Sequence, residues 1–109
     1  MGISISVSCQ TAQEWQALES EGFYSADMGY SSWANVLECF DLTVEDQVMG
    51  QLPAEAFLDS GVDPLAKAGG YESTWVVGGG WQNVTARRVA DVIRVATVAR
   101  QLRREVVWA

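Results

Sequence analysis

The chain contains no histidine, only two cysteines and two prolines, and no lysine or arginine before position 67. Without histidine there is no imidazole to act as a general base near neutral pH, to ligate zinc or iron, or to activate a serine or cysteine nucleophile. Cys9 and Cys39 form no CxxC pair, which argues against a zinc site and against the disulfide frameworks of small secreted domains. Both read as ordinary thiols, with Cys39 beside Val36 and Phe40 on a helix. No apolar run reaches the roughly 18 residues that a membrane span needs. The first residues, Met1-Gly2-Ile3-Ser4-Ile5-Ser6, carry neither a basic region nor a long apolar one, so no signal peptide is expected and the location reads as cytoplasmic.

What is present points to a folded domain. Of the 109 residues 49% are hydrophobic, with five Trp, three Phe and three Tyr, too apolar a composition for disorder. That length suits one compact domain over 1–109 with a core of its own. Net charge is -7, and it is segregated. Eleven carboxylates, among them Asp27, Glu38, Asp41, Glu45 and Asp46, fall in residues 1–66, whereas Lys67 and all six arginines follow. Some arginines should pair with acids of the same chain. The excess negative charge should still attract a basic surface and repel nucleic acid.

The longest periodic stretch runs from Thr85 to Trp108. Val89, Val92, Ile93, Ala96, Ala99, Leu102 and Val106 recur at spacings of three and four, which predicts an amphipathic helix with Arg87, Arg88, Arg94 and Arg104 mostly on its other side. Glu105-Val106-Val107-Trp108 reads either as its last turn or as a short strand. At the other end Ile3, Ile5 and Val7 alternate with Ser4, Ser6 and Ser8, predicting a strand covered on one face. Thr11 and Glu14 have capping-box spacing ahead of a helix from Ala12 to about Ser20, with Gly22 as its stop. Residues 22–32 read as an aromatic loop, and Ser31 or Ser32 as the cap of a helix bearing Trp33, Val36, Leu37 and Phe40 on one face. Three further short helices are expected, one capped by Thr43 with Asp46 and ended by Gly50, one beginning at Pro53, one at Asp63-Pro64. A second strand is expected over 71–77, followed by Gly78-Gly79-Gly80 as a connector and Asn83 or Thr85 as the long helix's cap. The fold class is therefore α+β, a two- or three-stranded sheet packed against the long C-terminal helix with short helices between, and strand 3–8 paired with 71–77.

Few residues suggest catalysis. Asp59, Gly61 and Asp63 approach calcium-loop spacing but lack the glutamate that should follow, so neither a metal nor a cofactor is expected. The chain reads as a non-enzyme. Aromatic residues beside carboxylates stand out instead: Tyr24, Asp27, Tyr30, Trp33, Glu38, Asp41, Glu45 and Asp46 are the expected partner-binding residues, rings at the centre and charge at the rim. The function that fits is a small acidic inhibitor or immunity-type protein, of the sort phages also encode, that occludes a basic and even nucleic-acid-binding surface of another protein. Two other readings stand beside it. In one, Gly78–Gly80 with Arg87 and Arg88 holds an anion or nucleotide; in the other the long helix pairs with a second copy as a homodimer. Direct nucleic-acid binding is not expected, given the overall acidity.

Overall fold

The computed structural model describes residues 2–20, 25–71, 73–78 and 80–109. In chain order the elements are β1 (Gly2–Val7), α1 (Ala12–Ser20), β2 (Ala26–Gly29), α2 (Tyr30–Cys39), β3 (Gly50–Pro53), α3 (Glu55–Leu58), α4 (Pro64–Ala68), β4 (Thr74–Val76), β5 (Gly80–Gln82), α5 (Val84–Gln101) and β6 (Glu105–Trp108). The α+β class holds, with a long helix across a sheet. Gly22, the expected stop of the first helix, and Tyr24, Glu72 and Gly79 lie outside the described residues.

Four antiparallel strands form the main sheet in the order β2-β1-β6-β3, and β4-β5 form a separate ribbon. Strand 3–8 therefore does not pair with 71–77. Its neighbours are β2, with Ile3 opposite Met28, and β6, with Ile5 opposite Trp108. The alternation in β1 does what its period implies: Ile3, Ile5 and Val7 are buried, while Ser4 and, on the neighbouring strand, Asp27 are exposed. Helices α2 and α5 pack against this strand.

The seam of α5 supplies Val89, Val92, Val95, Ala96 and Ala99, all buried against the sheet and against α2, α3 and α4. Each of the three valines contributes roughly 1.5–3 kcal/mol from removal of its side chain from water. Leu102 does not extend this seam. It is the half-exposed C-cap, Arg103 follows in a left-handed conformation with φ 56°, and the chain turns back as β6. Val106 and Trp108 then enter the core from a strand, with Val107 between them on the other face.

Of the expected helices near the middle, one is replaced and one is shortened. Residues 43–49 form no helix: Asp46 caps a turn by accepting from the Val48 amide at 2.8 Å, and the chain goes straight into β3. Only three residues separate Asp46 from Gly50, too few to repay helix nucleation when a strand position beside β6 is open. Pro53 ends that strand at the sheet's edge, where its missing donor is tolerated, and the helix that follows is the single turn α3. Within the expected aromatic loop, residues 26–29 form the edge strand β2, and α2 starts directly from it with Gly29 rather than a serine as its N-cap. Asp63 and Asn83 cap α4 and α5 as expected, accepting from the amides of Ala66 at 3.2 Å and Ala86 at 3.0 Å.

The first helix is tied to the end of α5 by charge. Glu14 accepts from the Gln10 amide at 2.9 Å and from Arg104 at 2.6 Å, while Thr11 accepts from the Glu14 amide at 3.2 Å. The Gln10 amide, with Arg104 and the Thr11 amide behind it, holds the Glu14 carboxyl below its ordinary value of 4.5. A lowered folded pKa contributes stability that is fully present above the ordinary value and fades as pH falls through the folded one. Glu14→Gln should therefore have a lower denaturant midpoint than the parent chain at neutral pH, and the two midpoints should converge in acid. A gap that persists undiminished into strong acid would exclude this role.

Candidate functional site

The expected binding residues are divided between the two ends of α2 and the loop that follows it. Asp27 lies on the solvent face of β2, where the Ser4 hydroxyl donates to its carboxylate. Tyr30 opens α2 and is 38% exposed. Glu38 and Asp41 lie at the other end, about 12 Å further along the axis. Trp33 is not on the surface at all. It is 0% exposed, its ring 5.5 Å from that of Trp108, because α2 turns the face bearing Trp33, Val36 and Leu37 onto the sheet. The same periodicity that makes α2 a helix makes Trp33 core.

Glu45 and Asp46 belong to the segment before β3. Trp108 donates its indole N–H to the Asp46 carbonyl at 3.1 Å, pinning this segment to the last strand. Gly50 sits flat on that indole, and a Cβ there would come within 2.5 Å of the ring. Val48 and Met49, both more than half exposed, stand next to the acids. Glu45, Asp46, Met49 and Trp108 are among the residues lining a hollow of about 340 Å³.

Among the described residues, the most exposed aromatic surface lies elsewhere, on the ribbon β4-β5. Trp75 and Trp81 are directly opposed across the two strands, with ring centroids 5.8 Å apart and planes at 73°. They are 59% and 70% exposed, and Val77 at the turn is 94% exposed. The sequence pattern predicts Gly78-Gly79-Gly80 as a connector from strand to helix. In the fold, Gly78 and Gly80 adopt φ values of 81° and 73°, left-handed positions that reverse the chain into a second strand before α5 begins. Two tryptophans flanking a glycine turn are the signal that identifies such a hairpin.

Below the ribbon, Asn83 ties it to the acidic end of α2. Its side-chain amide donates to the carbonyls of Ala68 at 2.9 Å and Tyr71 at 3.3 Å. The Tyr71 hydroxyl donates to Glu38 at 3.2 Å, and Lys67 faces Asp41 at 3.9 Å. Burial, then the Glu38 carboxylate, pushes the Tyr71 phenol up, so it stays a donor. Burial and the neighbouring Glu38 likewise raise the Cys39 thiol, and burial with Glu14 raises Cys9. Neither thiol is activated as a nucleophile. They are both free.

Three of the arginines of α5 meet the chain's own groups. Arg88 donates to the Ser32 hydroxyl at 2.7 Å, Arg87 to Gln82 at 3.4 Å, and Arg100 pairs with Asp59 at 3.4 Å. The glycine turn is separated from the α5 N-terminus by β5, so it does not lead into helix amides as a phosphate loop does. The apolar seam of α5 is covered by the chain itself. Among the described residues no helix is long and apolar enough to cross a membrane. No family model, curated protein or solved structure matches this chain.

Proposed function

We propose that this chain is a small, non-enzymatic acidic protein of the inhibitor or immunity kind, acting in the cytoplasm by covering a basic surface of a protein partner. The observation that carries this reading is the imbalance left after internal pairing. Among the described residues, Lys67, Arg100 and Arg104 pair with Asp41, Asp59 and Glu14. Glu19, Asp27, Glu38, Glu45, Asp46, Glu55 and Asp63 remain exposed with no ion pair among those residues. Such a surface accelerates encounter with a cationic partner and penalises anionic ones. Glu45 and Asp46 beside Val48 and Met49 also combine charge with apolar contact, as the rim and centre of an interface do.

Capture from a native lysate tests it. A stoichiometric basic protein should be retained at low ionic strength and released near 0.5 M salt, where the Debye length shrinks to a few ångströms. Reversing Glu38, Glu45 and Asp46 together to lysine should weaken retention by about tenfold or more, since rim charges act mainly through rate and salt dependence. Retention indifferent to both salt and charge reversal would overturn the proposal, as would the absence of any basic partner.

A further inference from the structure

The exposed tryptophan ribbon has no task in the core, yet it is built with some care. Trp75 and Trp81 occupy one register position on facing strands, and their edge-to-face packing at 5.8 Å holds the two rings in a fixed mutual orientation. With more than half of each ring exposed, π surface stays open to solvent. The ribbon's base is fixed by Asn83 to the Tyr71 carbonyl, and Tyr71 in turn holds Glu38, one turn from Asp41. The base of the aromatic ribbon is thus linked through Asn83 and Tyr71 to the acidic C-terminal end of a helix, whose carbonyls add partial negative charge.

Resting on the acidic-inhibitor reading above, we infer that the Trp75–Trp81 ribbon is the anchor for an arginine-bearing segment of the basic partner, a guanidinium lying on the indole faces while Glu38, which has no ion pair among the described residues, takes a neighbouring cation. Indole is the best of the aromatic faces for a cation, and arginine is its commonest partner. The chain's charge chooses among the other occupants of an exposed apolar ribbon. Two copies at -7 each repel one another, and an anionic lipid surface or a nucleic acid is repelled in the same way. The nearest cations do not compete for the rings: Arg87 is turned to Gln82 and Lys67 to Asp41.

The test uses synthetic oligo-arginine, oligo-lysine and oligo-glutamate peptides of equal length, titrated onto the whole chain with tryptophan emission and calorimetry as readouts. Oligo-arginine should bind most tightly and perturb the emission, oligo-lysine more weakly, oligo-glutamate not at all. Trp75→Ala with Trp81→Ala should lose about tenfold or more in oligo-arginine affinity, and Trp75→Phe with Trp81→Phe should recover most of it. Circular dichroism and thermal melting check that the alanine pair leaves the main sheet intact. If oligo-arginine binds in a salt-sensitive way but equally to the parent and the alanine pair, the anchor is refuted and the acidic reading survives. No binding of either cationic peptide to the parent chain removes both. Light scattering that shows a dimer abolished by the alanine pair, or binding to phosphatidylcholine vesicles abolished by it, also overturns the inference, in favour of a second copy or a lipid surface.

Discussion

Trp108→Ala should lower the unfolding free energy by about 3–5 kcal/mol, the range for removing a large buried ring. Three kinds of contact disappear together. The indole is 3% exposed and packs 5.5 Å from Trp33, it fills the space that Gly50 leaves by having no Cβ, and its N–H holds the Asp46 carbonyl at 3.1 Å. Strand β6, which carries it, pairs with both β1 and β3, so the void opens in the middle of the sheet. Trp108→Phe keeps most of the packing and loses the donor; a cost of about 1–2 kcal/mol is expected. Urea unfolding gives both values. Hydrogen exchange at the Val48 amide, held by Asp46, should accelerate in the alanine variant well before the global midpoint shifts enough to explain it. Unchanged Val48 protection would show that the indole does not order the acidic segment.

The second large effect concerns the ring beneath it. Trp33 is fully buried, and its indole N–H finds no acceptor among the described residues. An orphaned buried donor costs about 1–3 kcal/mol, so part of what this ring contributes by packing is cancelled by its own nitrogen. Trp33→Ala should still cost about 3–5 kcal/mol, because the Trp108 ring packed against it would face a void. Trp33→Phe should instead fall within about 1 kcal/mol of the parent, the smaller ring losing contacts but removing the orphan. Equilibrium denaturation with unchanged m values decides it. A phenylalanine variant as unstable as the alanine one would mean that the nitrogen is satisfied after all.

The parts of the fold legible in the sequence are those with a sustained period. Val89, Val92, Ala96 and Ala99 predict α5, and the Ile-Ser-Ile-Ser-Val run predicts β1, because each repeats long enough to separate the two periods. Where local signals are short, distant pairing decides. Ala26 to Gly29 is four residues long and acquires its strand character only from β1, and Gly50 to Pro53 only from β6. Leu102 and Val106 both fit the helical seam by number. The break between them rests on Arg103 at φ 56°, a position usually marked by glycine and here unmarked.

The candidate site divides in the same way. Its chemistry, carboxylates beside rings, is legible as composition, and so is the pairing of some α5 arginines with acids from the first half. Which rings stay outside is not. The spacing already sets Trp33 on one helix face with Val36 and Leu37, but that this face meets the sheet shows only in the fold, and Trp75 and Trp81 look like strand and loop until the glycine turn brings them opposite each other. Registers set by a three-residue turn leave almost no trace in hydrophobic periodicity.

Strand β6 also governs the order in which the molecule can assemble. It lies between β1 and β3, and Ile5 meets Trp108 across about a hundred residues of chain. Until residues 105–108 are available, β1 and β3 have no common neighbour, and only helices, the β1-β2 pair and the β4-β5 ribbon can form. Closing so long a loop costs entropy before any central contact repays it. A nascent chain would thus carry its acidic segments and its tryptophan ribbon while the main sheet is still open, and the segment before β3 gains its sheet partner only when β6 docks.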